Sequence, residues 1–268
     1  MHFLLTGDFD REEIAPAAIE MRHAGELVQI ASLESAAGWL ARAETPVDLT
    51  IVAQARAGQF SHAAIEILRA AAPLTPIVAL LGSWCEGEMR SGLPWPGVPR
   101  VYWHQWSARF RQEVARLARG ELSGWSQPLT ATAEERLLWS AKSAPGKLQG
   151  MISVVSDECE MADWLAAACR ARGLAAITMR PPPPSPITGI DLVLCDVGIP
   201  SQRAADDVRS AARSFPGAVV VVLADFPRND DVQPFLAAGA AAVLSKPLDL
   251  ADLLATISRF LPPGARVG

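Results

Sequence analysis

The stretch GIDLVLCDVGIP, residues 189–200, decides the fold class, because it is an apolar run that ends in an aspartate and a glycine. A short apolar run bounded by turn residues is typical of a β-strand. Similar runs alternate along the chain with amphipathic helical stretches, and that alternation predicts a parallel sheet in an α/β fold. Asp196 would then stand at the carboxyl end of the third strand of such a sheet.

The chain passes through the same order of signals twice. PVDLTIVA at residues 46–53 matches GIDLVLCD at residues 189–196, with an offset of 191 − 48 = 143 between their aspartates. Two later segments keep step: VALLGSW matches VVVLADF (223 − 81 = 142), and VYWHQW matches VLSKPL (246 − 104 = 142). A nearly constant offset over three strands predicts two copies of one domain.

The repeat also predicts the domain boundaries. Residues 1–120 and 149–268 are expected to be two doubly wound domains, each with a five-stranded parallel sheet. Residues 121–148 are expected to be a linker around one short helix in TAEERLLWSAK, since Gly, Ser and Pro surround that stretch. In the second copy RPPPPSP, residues 180–186, replaces the second helix, because consecutive prolines lack the N–H donors that a helix needs.

Composition excludes several classes of protein. The chain has 24 basic and 29 acidic residues, a net charge of −5, and no long basic run, so nucleic acid is not expected as a partner. The amino terminus has neither a basic flank nor a cleavage site, so no membrane association is expected and the predicted compartment is the cytoplasm. The cysteines form no CxxC pair and are interpreted as reduced thiols in packing roles. They are Cys85, Cys159, Cys169 and Cys195.

Three pieces of the second copy carry a family resemblance. They are VVSDE at the end of the first strand, DLVLCDVGIP at the third strand, and GAAAVLSKPLDLADLL across the fifth strand and the last helix. In this order and spacing they resemble the response-regulator receiver family of two-component signalling, over essentially all of residues 149–268. The resemblance implies a flavodoxin-like fold and an aspartate that accepts a phosphoryl group from a histidine kinase or a phosphotransfer protein.

The resemblance also assigns residues to this chemistry. It implies that Asp196 is the phosphoacceptor and that Lys246 contacts the phosphoryl group. It implies Mg²⁺ bound by Asp157, by Asp196 and by the backbone carbonyl of Gly198, with Glu158 able to compensate for a second acid.

These residue types suit the reaction on physical grounds. A carboxylate that attacks an anionic phosphoryl group needs a divalent cation and an ammonium group to neutralise the transferring oxygens. Mg²⁺ prefers carboxylate, carbonyl and water oxygens, and open α/β sheets place their sites at the carboxyl ends of their strands. The acceptor carboxylate is therefore expected at the rim of the sheet, open to solvent.

Two positions depart from the family pattern. Ser156 stands where the first of two adjacent acids is usual, and Ala224 stands where a Ser or Thr usually follows the fourth strand. That hydroxyl couples arrival of the phosphoryl group to rearrangement, so its loss bears on switching rather than on phosphorylation. The alternative interpretation is a degenerate receiver that retains Asp196 and Lys246 as an ion pair.

The first copy departs further from the pattern. The same register places Ala53 at the acceptor position, Gly82 at the hydroxyl position and His104 at the lysine position, so that Asp8 alone remains of the acidic pocket. A slip by one residue would put Gln54 at the acceptor position. Neither residue is a carboxylate, and the first domain is therefore predicted to be a pseudo-receiver.

Residues 83–106 hold four of the eight tryptophans, together with two arginines. Clustered Trp and Arg are typical of binding hot spots, so the segment is a candidate partner-binding surface. Its candidate residues are Trp84, Arg90, Trp95, Trp103, His104 and Trp106. Two alternatives stay open: the tryptophans fill a core where a helix is missing, or Cys85, Glu86, Glu88 and His104 form a metal site.

The function predicted from the sequence is a phosphorelay protein without a DNA-binding output domain. It would accept a phosphoryl group and act by contact with an unidentified effector protein, with a homodimer possible, and it is not expected to be an enzyme. The first alternative is a tandem pseudo-receiver scaffold that only binds partners. The second alternative is an enzyme on a flavodoxin-like or Rossmann-like sheet. The motifs common in such enzymes do not support it, because the sequence contains no GxGxxG, GxxxxGK[ST], GxSxG or HExxH.

Overall fold

The computed structural model describes residues 1–85, 94–128, 131, 135, 147–181 and 186–261. The chain divides into two compact units, Met1–Ser140 and Ala141–Gly268. Each unit contains one five-stranded sheet whose described strands are all parallel.

The first unit alternates strands and helices. Its strands are β1 (His2–Gly7), β2 (Glu26–Ile30), β3 (Leu49–Arg56), β4 (Ile77–Trp84) and β5 (Arg100–Tyr102). Its described helices are α1 (Ala15–Ala24), α2 (Leu33–Leu40), α3 (His62–Ala71) and α4 (Trp106–Ala118). The strand order is β2-β1-β3-β4-β5.

Helices cover both faces of this sheet, which is why β3 is buried along almost its whole length. Side chains of α1 and α4 form one core with alternate residues of β1, β3 and β4, and side chains of α2 and α3 form the other. The hydroxyls of Ser32 and Ser61 cap α2 and α3 by accepting from backbone N–H groups three residues further on. The helices begin directly after these residues, because the caps satisfy donors that have no partner within the helix.

The second unit repeats the pattern. Its strands are β6 (Met151–Val155), β7 (Ala175–Met179), β8 (Leu192–Gly198), β9 (Val219–Asp225) and β10 (Ala240–Lys246). Its described helices are α5 (Cys159–Arg170), α6 (Gln202–Ser214), α7 (Asn229–Ala237) and α8 (Leu250–Phe260). The order β10-β9-β8-β6-β7 is the order of the first sheet read from the opposite edge.

One face of the second sheet packs against α5 and α8. Leu192 and Leu194 of β8 contribute to this core, together with Leu165 of α5 and Leu253 of α8. The intervening residues of β8 point to the other face, since side chains alternate along a strand. Asp249 caps α8, because its carboxylate accepts from the backbone N–H of Ala251 at 2.8 Å.

No helix occurs among the described residues between β7 and β8, as the proline run predicts; residues 182–185 lie outside the described part. The predicted linker helix falls on residues 132–142, of which only Glu135 is described. Both ends of the predicted linker pack onto a unit: Trp125 is in a core of the first unit and Leu148 is in the core of the second. No helix in the described ranges has the length and apolar character needed to cross a membrane.

Both sheets have the order 2-1-3-4-5, counted within each unit, which is the flavodoxin-like order. The predicted fold class, two doubly wound α/β domains with five parallel strands each, is therefore confirmed. In this topology sites lie beyond the carboxyl ends of the strands, near the point where the strand order reverses. In the second unit that point lies between β6 and β8.

Candidate functional site

Asp196 and Lys246 meet at the carboxyl edge of the second sheet. Asp196 is near the end of β8, and Lys246 is the last residue of β10. Because all five strands run in one direction, side chains distant in sequence meet at this edge. The ammonium of Lys246 lies 2.7 Å from Oδ1 of Asp196, which is the juxtaposition that the receiver resemblance implies.

The second oxygen of Asp196 is also engaged. The hydroxyl of Ser156, directly after β6, donates to Oδ2 of Asp196 at 2.7 Å and accepts from the backbone N–H of Glu158 at 3.0 Å. The side chain of Asp196 is only 3% exposed. The expectation of a carboxylate open to solvent is therefore wrong, because Lys246 and Ser156 cover it from two sides.

Asp225 is a site residue that the sequence analysis did not identify. It is the last residue of β9, and its Oδ1 lies 3.0 Å from the ammonium of Lys246. Lys246 therefore pairs with two carboxylates. Its position in the sequence could have identified it. Asp225 directly follows Ala224 and ends β9, the strand between β8 with Asp196 and β10 with Lys246.

The predicted magnesium ligands line one cleft of about 210 Å³. Asp157, Glu158, Asp196 and Gly198 are among its lining residues. In the described ranges no three His, Cys, Asp or Glu side chains converge on a point that could hold a metal ion. Mg²⁺, however, is commonly held by one or two carboxylates and keeps several waters.

The donor chemistry of the cleft fits that requirement. Asp157 and Asp196 supply two carboxylates, and a carboxylate has about four acceptor sites, of which Asp196 uses two for Ser156 and Lys246. Gly198, whose backbone carbonyl the resemblance assigns to the metal, lines the same cleft. The residues present therefore fit Mg²⁺.

Two pKa values are shifted at this edge. Burial of the Lys246 ammonium disfavours its charge, but its hydrogen bonds to Asp196 and Asp225 outweigh that effect, so the pKa of Lys246 is raised. Burial, with smaller contributions from Asp207 and Asp196, raises the pKa of the Cys195 thiol to about 12. Lys246 is thus a cation and Cys195 a neutral thiol at physiological pH.

The corresponding edge of the first unit lacks an acceptor. Gly7 pairs with Ala53 across β1 and β3, and Gln54 pairs with Leu81 across β3 and β4. The side chain of Gln54 is buried and donates to the Cys85 thiol at 3.6 Å. Whichever residue is taken as the equivalent of Asp196, no carboxylate stands there, and the pseudo-receiver prediction is retained.

The predicted tryptophan surface is wrong for two of its members. Trp106 is 2% exposed and stacks on Phe110 and Trp125, and Trp95 is 7% exposed and donates its indole N–H to the backbone carbonyl of Phe60 at 3.1 Å. These two fill cores, as the alternative interpretation holds, because aromatic area is buried by packing against helices and loops.

The other members of the segment differ from those two. Trp84 is 70% exposed, Trp103 is partly buried against the core, and His104 stacks on Tyr102. Arg90 lies outside the described residues, as do Glu86 and Glu88 of the alternative metal site. Cys85, its first proposed ligand, is fully buried beside Gln54.

No protein family and no curated protein in the comparisons matches this chain. Among solved structures, a response regulator from Thermotoga maritima is 22% identical over 42% of this chain and 98% of its own, at a TM-score of 0.36. A response regulator receiver protein from Burkholderia phymatum is 23% identical over 44% of this chain and 99% of its own, at a TM-score of 0.35.

A third similar structure is a co-crystal of a Saccharomyces cerevisiae histidine phosphotransfer protein and the receiver domain of its downstream response regulator. It is 16% identical over 42% of this chain and 90% of its own, at a TM-score of 0.33. The fold class does not rest on these likenesses, because the strand order of each sheet establishes it. In fold, each of the two units is therefore of the flavodoxin-like class to which response-regulator receiver domains belong.

Proposed function

We propose that the chain is a two-component signalling protein in which Asp196 accepts a phosphoryl group and the output is a protein contact. The contact between Lys246 and Asp196, 2.7 Å between Nζ and Oδ1, carries this proposal. Two side chains 50 residues apart in sequence meet at the edge where this fold places its sites. Asp157 and Gly198, which the resemblance assigns to the metal, line the same cleft as Asp196.

The transfer is a substitution at phosphorus. A carboxylate oxygen of Asp196 forms the new P–O bond while the P–N bond of a phosphohistidine donor breaks, and the electron pair leaves with the imidazole nitrogen. The ammonium of Lys246 binds a phosphoryl oxygen and offsets its charge. Mg²⁺ at Asp157, Asp196 and Gly198 would neutralise further negative charge on the transferring group.

The proposed partners follow from this chemistry and from the surface. A histidine kinase or a phosphotransfer protein would supply the phosphoryl group. Two exposed apolar side chains directly follow site strands: Ile199 after β8 is 76% exposed, and Phe226 after β9 is 58% exposed. Such side chains at the rim of the cleft suit contact with a protein better than contact with nucleic acid, in agreement with the net charge of −5.

A specific observation favours the second candidate, a phosphorylation-independent scaffold. The acceptor carboxylate is 3% exposed, and the cation beside it is shared with Asp225. In that case Asp196 and Lys246 would act as a structural ion pair. The two candidates differ in whether Asp196 ever forms a covalent bond to phosphorus.

Incubation of the full chain with Mg²⁺ and acetyl phosphate, followed by intact-mass measurement, separates these candidates. We expect the wild-type chain to gain the mass of one phosphoryl group and Asp196→Asn to gain none. Asp206→Asn, an exposed aspartate of α6, is the matched control and should label like wild type. Absence of any gain in wild type supports the scaffold, and labelling that persists in Asp196→Asn excludes Asp196 as the acceptor.

A further inference from the structure

Lys246 is held by two carboxylates that belong to different strands. Its ammonium lies 2.7 Å from Oδ1 of Asp196 and 3.0 Å from Oδ1 of Asp225, and its side chain is 11% exposed. An ammonium has three N–H donors, and two are directed at these oxygens. One cation thus faces two anions in a largely desolvated position.

Strand register places the backbone of Asp225 beside that of Lys246. Asp225 and Lys246 are the last residues of neighbouring parallel strands and are direct partners in the register of β9 and β10. Gly198 of β8 leaves room on the other side, since a Cβ there would still be 3.9 Å from the Asp225 carboxylate. The ion pair between Asp225 and Lys246 therefore follows from strand register. It does not depend on two long surface side chains adopting one particular pair of rotamers.

An incoming phosphoryl group would need the same ammonium. Its oxygens are anions that require the charge of Lys246, and Asp225 already uses one of the three donors. The carboxylate of Asp225 would also repel the phosphoryl oxygens across a few ångströms of partly desolvated space. Since Asp225 is 36% exposed, it can turn away into solvent when the competing anion arrives.

We propose that Asp225 is a positioning residue whose carboxylate takes the place at Lys246 that an incoming phosphoryl oxygen would occupy, and so restricts anion binding at the Asp196 site. This inference rests on the proposed function, because it specifies how access to the acceptor is regulated. It predicts that loss of the Asp225 charge frees Lys246 for an external anion.

Nonspecific electrostatics would give a similar trend, so the experiment needs a charge-matched control. Asp207 lines the same cleft as Asp196, but in the described structure its carboxylate forms no ion pair with Lys246. Asp225→Asn and Asp207→Asn each remove one negative charge near the cleft. Only the first releases an ion-pair partner of Lys246.

The test is a titration of each full-length variant with inorganic phosphate, monitored by the shift in melting temperature. We expect Asp225→Asn to bind phosphate about tenfold more tightly than wild type, and Asp207→Asn to change far less. The gain should vanish when Asp225→Asn is combined with Lys246→Met, because no ammonium then remains at this position to receive the phosphate. Equal affinity in wild type and Asp225→Asn, an equal gain in Asp207→Asn, or a gain that survives loss of Lys246 would overturn the inference.

Labelling with acetyl phosphate adds a separate readout for the proposed function. If Asp225→Asn binds phosphate more tightly and also gains phosphoryl mass faster than wild type, both statements stand. If it binds phosphate more tightly while neither protein gains mass, the acceptor function fails and the role of Asp225 stands. If wild type and Asp225→Asn label at the same rate and bind phosphate equally, the acceptor function stands and the role of Asp225 fails.

Discussion

The carboxylate of Glu13 accepts two hydrogen bonds from Ser83, one from its hydroxyl at 2.7 Å and one from its backbone N–H at 3.1 Å. It lies beside Gly82, where an added Cβ would be 2.2 Å from Oε1 of Glu13. Ser83 corresponds to Asp225 in the second unit, since 225 − 83 = 142. In both units the residue that ends or nearly ends the fourth strand is thus bound to a charged side chain of its own unit.

This packing predicts a cost for Gly82→Ala. The new methyl group would displace the Glu13 carboxylate and press on the backbone of Ala55, whose carbonyl oxygen would be 3.1 Å away. We expect a loss of about 1–3 kcal/mol in the free energy of unfolding, measured by urea titration. Gly38→Ala is the control: it lies inside α2, where an added Cβ would only make van der Waals contact with the Arg42 side chain at 3.7 Å, and we expect a gain of roughly 0.5–1 kcal/mol. Equal effects at the two glycines would contradict this account.

Glu113 of α4 is predicted to stabilise the first unit. It is 8% exposed and accepts from the Ser123 hydroxyl at 2.6 Å and from the Gly124 backbone N–H at 2.7 Å. Glu113→Ala leaves these donors without their acceptor and should cost about 1–3 kcal/mol of unfolding free energy. Glu121→Ala removes an exposed glutamate paired with Arg119 and should have little effect. A negligible loss in Glu113→Ala, by the same urea titration, would show that these hydrogen bonds do not stabilise the fold.

The cysteines should differ sharply in reactivity. Cys159 is exposed, whereas Cys85, Cys169 and Cys195 are buried. Burial also raises the pKa of Cys169 to about 11, and the thiolate is the reactive form. A maleimide should therefore modify Cys159 alone in the native protein, as read by intact mass, and Cys159→Ser should remain unmodified until urea is added. Rapid native labelling of a second cysteine would contradict the described packing.

Cys169 should also make stability depend on pH in the alkaline range. Its thiol has an ordinary pKa of 9.0, which burial raises to about 11 in the folded protein. Below pH 9 the thiol is protonated in both states, so its contribution to stability is complete there. As pH rises from 9 to 11 the unfolded chain loses the proton first, and stability falls by about 1.4 kcal/mol per pH unit.

The measurement is unfolding free energy at pH 8 to 11 under reducing conditions, for wild type and Cys169→Ala. Wild type should lose roughly 2–3 kcal/mol more than Cys169→Ala across this range. Cys159→Ala, at an exposed position, should follow wild type. Parallel pH profiles for wild type and Cys169→Ala would show that folding does not raise the pKa of the Cys169 thiol.

The sequence predicted the architecture because strand patterns are local. The apolar run from Leu192 to Cys195 and its counterpart from Leu49 to Val52 identify buried strands without knowledge of their neighbours. The common order of such runs then predicts the same sheet topology in both units. The proline run likewise predicted that the described residues between β7 and β8 contain no helix, since proline acts on its own backbone.

The burial of individual tryptophans could not be predicted from the sequence. Trp84 and Trp95 belong to one segment with the same composition signal, yet one is 70% exposed and the other 7% exposed. Burial depends on which helix or loop of the same unit covers a side chain. That is a relation between distant segments, and composition does not contain it.

The sequence by itself determined the two α/β units, because strand patterns are local, and its receiver resemblance implied that Asp196 and Lys246 meet, as the parallel strands of the second sheet allow. The tertiary structure alone decided that Asp196 is covered, that Ser156 takes its second oxygen, and that Asp225 shares its cation. These three contacts depend on strand register and on the direction of each side chain. Shifts of a few ångströms in either would change how many carboxylates face the Lys246 ammonium.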